Sequence, residues 1–106
     1  MPSFSKDKIK EEFIQAVNMG IPELFLPYVL VPEVSFGDLE PSVGYEYFRD
    51  FLSSLKEESP ETWHCRIKDI SETKQELSFY DQKHKHPRLT VYVIFGDKLV
   101  FEIMPF

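Results

Sequence analysis

Leu89-Thr90-Val91-Tyr92-Val93-Ile94-Phe95-Gly96-Asp97-Lys98-Leu99-Val100-Phe101-Glu102-Ile103-Met104-Pro105-Phe106 reads as two strands and the turn between them. β-Branched and aromatic residues fill both flanks. Gly-Asp interrupts them, with glycine free to take the positive φ of a short hairpin loop. A two-residue loop at Gly96-Asp97 sets the register: Ile94 faces Leu99, Tyr92 faces Phe101 and Thr90 faces Ile103, while Val93 faces Val100 and Val91 faces Glu102. Both faces of such a hairpin are largely apolar, so helices must cover one and a partner chain the other.

Working back toward the N-terminus, period-two alternation continues. Leu77 and Phe79 alternate with Glu76, Ser78 and Tyr80, and Trp63, Cys65 and Ile67 alternate with His64, Arg66 and Lys68. Ile70 falls on the wrong parity, which predicts a bulge near Lys68-Asp69. The first half of the chain has the other period. Ile9, Phe13, Ala16 and Val17 recur at helical steps between a capping Ser5 and a terminating Gly20, and residues 44–56 form a further helix with Tyr47 or Phe48, Phe51, Leu52 and Leu55 on one stripe and Ser42 as its cap. Between them, Pro22, Pro27 and Pro32 break an apolar run into a short helix or two turns, and Val34-Ser35-Phe36 forms a short strand ended by Gly37-Asp38. Helices first and strands afterwards mark an α+β domain, with N-terminal helices packed on a curved antiparallel sheet.

The chain has 106 residues, which at about 150 residues per domain is one domain over 1–106. A hydrophobic fraction of 42% with 15% aromatic residues is enough to bury a core, which excludes disorder. The net charge of −6 argues against a nucleic-acid partner, which needs a positive face. A single cysteine, Cys65, permits no internal disulfide. The opening Met1-Pro2-Ser3-Phe4-Ser5-Lys6 lacks the apolar run of a signal peptide, and no stretch approaches the ~20 apolar residues of a membrane span, so a cytoplasmic location away from membranes is expected.

The order of elements resembles the cone of the nuclear transport factor 2-like superfamily, a cystatin-like fold shared by polyketide-cyclase-like domains and ketosteroid isomerases. The local resemblance lies in residues 34–52: a strand, an acidic and proline-containing loop Asp38-Leu39-Glu40-Pro41, the helix-opening Gly44, and a helix with the aromatic-aliphatic pair Phe51-Leu52. It implies a curved sheet wrapped around the first helix, a pocket at the wide end of the cone, and pairing of two copies through the outer sheet face. The isomerases carry a general-base Asp five residues before their counterpart of Glu40-Pro41. That position here is Ser35, and Asp38 is the nearest carboxylate.

Candidate site residues follow. Asp38, just past a short strand, suits a general base at the cone mouth, though an Asp there also turns the chain through its own backbone. His64 suits a proton relay or a solvated strand position. Tyr92 suits a hydrogen-bond donor to a developing oxyanion, or cross-strand packing. Glu102, on a mostly apolar face, is a pocket carboxylate or one reaching the sheet edge. Phe25, Tyr28, Phe36, Trp63, Phe79 and Phe101 supply apolar walls for a modest ligand. Lys83-His84-Lys85-His86-Pro87-Arg88 reads as a solvated hairpin tip, since two histidines without a third ligand make no metal site, and Cys65 reads as core.

No phosphate-binding loop, zinc spacing or hydrolase elbow is present, and no cofactor is expected. The leading expectation is a homodimer whose conical pocket binds a small apolar molecule. The alternatives are a proton-transfer isomerase, cyclase or dehydratase using Asp38, His64 and Tyr92, and a non-catalytic dimerisation module.

Overall fold

The computed structural model describes residues 5–104. Helix α1 (Lys6–Met19) starts where the Ser5 side chain accepts the Lys8 N–H at 3.1 Å. It stops at Gly20, whose φ of 70° lets its N–H reach the Ala16 and Val17 carbonyls. Ile9, Phe13, Ala16 and Val17 all become fully buried on one stripe, as their spacing requires. The proline-broken run becomes a 3₁₀ turn (Pro22–Phe25) followed by the single-turn helix α2 (Leu26–Val29). Strand β1 (Val34–Ser35) is only two residues long.

Helix α3 (Pro41–Glu58) begins earlier than the expected Gly44, and Glu40 rather than Ser42 occupies its cap position with no side-chain cap bond. Pro41 explains the shift: its ring presets the helical φ, and its missing N–H is one that an opening turn leaves unpaired anyway. Gly44, Tyr45, Phe48 and Leu52 form the buried stripe, and Tyr47 turns outward.

Strands β2 (His64–Ser71), β3 (Lys74–Tyr80), β4 (Leu89–Phe95) and β5 (Leu99–Met104) form an antiparallel meander, with the β2 register shifting between Asp69 and Ser71. The sheet order is β1-β5-β4-β3-β2, and β1 lies parallel to β5, so the sheet is mixed and not wholly antiparallel. The sheet is curved and unclosed, with the helices packed on it. No helix among the described residues is long and apolar enough to cross a membrane. The expected continuation of the last strand through Pro105 and Phe106, and the reading of residues 1–4, lie outside the described residues.

The hairpin register differs from the expected one by one residue. Phe95 pairs with Leu99, Val93 with Phe101, Tyr92 with Glu102 and Val91 with Ile103, so the loop is Gly96-Asp97-Lys98 and has three residues. Gly96 is absent from the positive-φ residues, and its N–H donates to the Lys98 carbonyl at 3.1 Å. The longer loop wins because it sends Val91, Val93, Phe95, Leu99, Phe101 and Ile103 to one face together. A two-residue loop would have driven Leu99 and Phe101 to the side of Tyr92. The alternation is therefore cleaner than expected: β4 and β5 bury their helix-facing residues and leave Tyr92, Ile94, Val100 and Glu102 half-buried on the outer face.

Phenylalanine rings fill the space between helices and sheet. Phe13 stacks on Phe101 with centroids 4.4 Å apart, and meets Phe48 at 5.0 Å and Phe25 at 5.3 Å. Phe25 in turn sits edge-on to Phe36 at 5.9 Å.

Candidate functional site

A cleft of about 280 Å³, the mouth cleft, is bounded by the turn after β1, the first turns of α3 and the far half of β5. Local geometry shapes each wall. Gly37, at φ 57°, takes the left-handed conformation that reverses the chain, and the Ser35 hydroxyl donates to its carbonyl at 2.7 Å. Leu39 N–H closes the turn on the Phe36 carbonyl at 3.1 Å. Gly44 lets α3 approach: a Cβ there would sit 2.5 Å from the Cβ of Phe36. The resulting trough has Phe36, Leu39, Tyr47, Phe101 and Ile103 as apolar walls, with Asp38 and Glu102 also bordering it.

The third wall is an open strand edge. Strand β1 covers β5 only at Leu99 and Val100, with Leu99 N–H donating to the Glu33 carbonyl at 2.5 Å. From 101 to 104, no strand among the described residues pairs with β5 on that side.

The structure does not bring the sequence-predicted acid, base and phenol together. Asp38 is exposed at the mouth. His64 is exposed on β2, stacked against Tyr80 at 5.6 Å. Tyr92 lies on the outer face, two strands from β2, where its hydroxyl donates to Glu76 Oε2 at 3.1 Å and Lys74 Nζ rests 4.5 Å from its ring. The bond to Glu76, followed by that residue's negative charge, pushes the Tyr92 phenol pKa up.

Among the expected wall residues, Phe36 and Phe101 line the mouth cleft. Trp63 lines a second surface groove of about 310 Å³ with Ile14, Asn18 and Met19, while Phe25, Tyr28 and Phe79 line neither and are packed in the interior. Leu39, Tyr47, Ile103 and Met104 complete the cleft and were not singled out from sequence. Leu39, an apolar residue directly after the Gly37-Asp38 turn, was the signal the sequence offered.

A polar cluster lies at the opposite end of α3. Asp81, its side chain fully buried, accepts the Ser59 hydroxyl at 2.5 Å, His84 Nδ1 at 2.7 Å, His84 N–H at 2.7 Å and Lys83 N–H at 3.1 Å. Burial pushes this carboxyl's pKa upward, but the hydrogen bonds outweigh it and hold the group well below the usual carboxylate range. The segment after β3 is anchored at its base, where Asp81 caps the turn, and Lys83, His84, Lys85 and His86 beyond it are exposed, as expected of a solvated tip. Beside it, Trp63 Nε1 donates to the Ser59 carbonyl at 3.1 Å. Lys56 Nζ lies 4.1 Å from the Trp63 ring centre, with burial lowering its pKa to about 8 against the raising effect of Glu61 and Asp81. Burial pushes the Cys65 thiol up to about 11. Among the described residues no group of three or more His, Cys, Asp or Glu side chains is arranged to hold a metal ion.

Fold and site together define a cystatin-like α+β domain with an apolar, acid-edged cleft. No family model and no curated protein matches the sequence. Among solved structures, the chain is similar to an uncharacterized cystatin-fold protein from Novosphingobium aromaticivorans. The two share 16% identity and a TM-score of 0.55, over 97% of this chain and 100% of the other. That likeness shows the fold.

Proposed function

We propose that this chain is a nuclear transport factor 2-like binding domain without catalysis of its own, which takes a modest apolar ligand in the cleft at the cone mouth. One observation carries the reading. The interior is filled by the Phe13, Phe25, Phe48 and Phe101 rings, so binding falls to the surface clefts, and the mouth cleft is the one that gathers the wall residues Phe36 and Phe101 beside Asp38. Separation of Asp38 from His64 and Tyr92 supports the non-catalytic reading, since general acid–base work needs its groups within about 3 Å of one substrate position.

The test is titration with the neutral dye Nile red, followed by its emission shift. Saturable binding is expected, weakened roughly tenfold by Leu39→Glu and by Tyr47→Glu through the cost of a buried charge. An absence of saturable binding, or binding indifferent to both substitutions, overturns the reading.

A second reading, pairing of two copies through the outer sheet face, is favoured by charge placement. His64, Arg66 and Lys68 share that face on β2, while Glu102 lies on it at β5, across the middle strand. A two-fold axis along β4, the middle strand, lays each basic β2 over the β1–β5 side of the partner, the side that carries Glu102. Sedimentation at micromolar concentration should give a dimer that Arg66→Glu splits, and a wild-type monomer contradicts the pairing.

A further inference from the structure

We propose that the occupant of the mouth cleft is an extended peptide, which adds to the sheet as a strand beside residues 101–104 of β5 and is selected for alternating apolar and basic side chains. This rests on the reading of the cleft as the binding site and names what fills it.

The backbone makes the first argument. Leu99 N–H points toward β1, where it donates to Glu33. In a strand, groups facing one side recur at every second residue, so the N–H and C=O of Ile103 point the same way, beyond the end of β1 at Ser35. No strand among the described residues pairs with them. Such an edge is a template for a further strand, and proteins blunt edges they must protect with lysine, proline or a covering loop. Residues 101–104 carry no lysine or proline, and among the described residues no segment covers their edge, beside which the trough lies.

Side chains make the second. An added strand pleats with its neighbour. Alternate residues share the face of Phe101 and Ile103 and enter the trough against Leu39 and Tyr47. The residues between them share the face of Glu102, with Asp38 at the turn. Neither carboxylate has a hydrogen-bond or ion-pair partner among the described residues, and no lysine or arginine lines the cleft. Lysine or arginine at alternate positions of the peptide supplies the missing charge. A basic strand with apolar alternate residues gives partners to the edge amides and both carboxylates while its apolar side chains fill the trough.

The experiment uses the full chain and a fluorescent, end-capped peptide of alternating lysine and valine, read by anisotropy. Saturable binding that weakens with salt is expected, with none for the glutamate-valine counterpart. Methylating the peptide's backbone nitrogens at every second residue should abolish binding in one phase and spare it in the other, because only one set of N–H groups faces β5. Ile103→Pro removes the edge N–H while leaving the ladder to β4 intact, and should weaken binding about tenfold.

Methylated peptides that bind equally in both phases indicate attraction to net charge alone and overturn the proposal. They do so even if Ile103→Pro fails to fold. Nile red binding without peptide binding overturns this proposal and leaves the cleft reading standing; absence of both overturns the two together.

Discussion

Phe13 lies stacked on Phe101 with ring centres 4.4 Å apart, so the first helix and the last strand share one aromatic contact at the centre of the cone. Both side chains are almost wholly removed from solvent, and four other rings pack around them. Truncation to Phe13→Ala is expected to cost about 3–5 kcal/mol, measured by urea denaturation. The space left is apolar and enclosed, so the variant should gain a melting-temperature increase with benzene that the wild type lacks. A wild type stabilised by benzene to the same degree would show that the cone is already hollow.

Gly44 and Phe36 hold the cleft wall together. A methyl group at 44 meets the Phe36 side chain at 2.5 Å, at a helix position where glycine's φ is ordinary, so Gly44→Ala is expected to cost about 1–3 kcal/mol through overpacking. Because the closest contact is with the Phe36 Cβ, which alanine would keep, the combined Gly44→Ala and Phe36→Gly chain should lose less stability than the sum of the two single changes. Strict additivity would place the role of Gly44 elsewhere.

Asp81 makes stability depend on acid in one direction. Its folded-state pKa is depressed by the bonds from Ser59, His84 and Lys83, so the unfolded chain takes up the proton first as pH falls. The stabilisation is complete above the unfolded value of about 3.9 and is lost as pH drops from there toward the folded value. Asp81→Asn should melt several degrees lower than wild type at neutral pH, with the gap closing below about pH 4. A gap that persists unchanged in acid would assign the loss to packing.

Lys56 gives Trp63, the one tryptophan, a titratable neighbour. The ammonium lies over the indole and has its pKa lowered to about 8. Trp63 emission should therefore titrate with a midpoint near 8, and Lys56→Met should remove the transition. The folded pKa lies below the unfolded one, so the unfolded chain holds more protons between them and stability attributable to Lys56 should rise with pH above about 8.

Local patterns in the sequence carried the first helix, its Ser5 cap, its Gly20 stop and the existence of the C-terminal hairpin, because each depends on residues a few positions apart. The hairpin register was misread, since Gly96-Asp97 fits a two-residue loop and only the joint burial of Phe95 and Leu99 selects the three-residue one. The filled cone was not legible either. Phe13 was assigned to the correct face of its helix, but whether that face meets rings or empty space depends on how closely α1 approaches β5. Asp81 divides the two cases: its bonds from Lys83 and His84 are local, whereas its partner Ser59 stands 22 residues away, and nothing around either position announces the other. The cleft fell between these cases, with Asp38, Phe36 and Phe101 visible as candidates and the open edge of β5 hidden until the length of β1 was known.

The brevity of β1 also bears on how the molecule comes apart. Two residues hold this parallel seam against β5, and they are the least secured pairing in the sheet. On heating, the seam should peel first and lengthen the bare margin of β5 from its far half to its whole run, offering like chains a sticky rim well before the aromatic interior melts. Heat-induced clumping would then begin at the margin, and a charged residue in place of Val100 should delay it more than the same charge on β2.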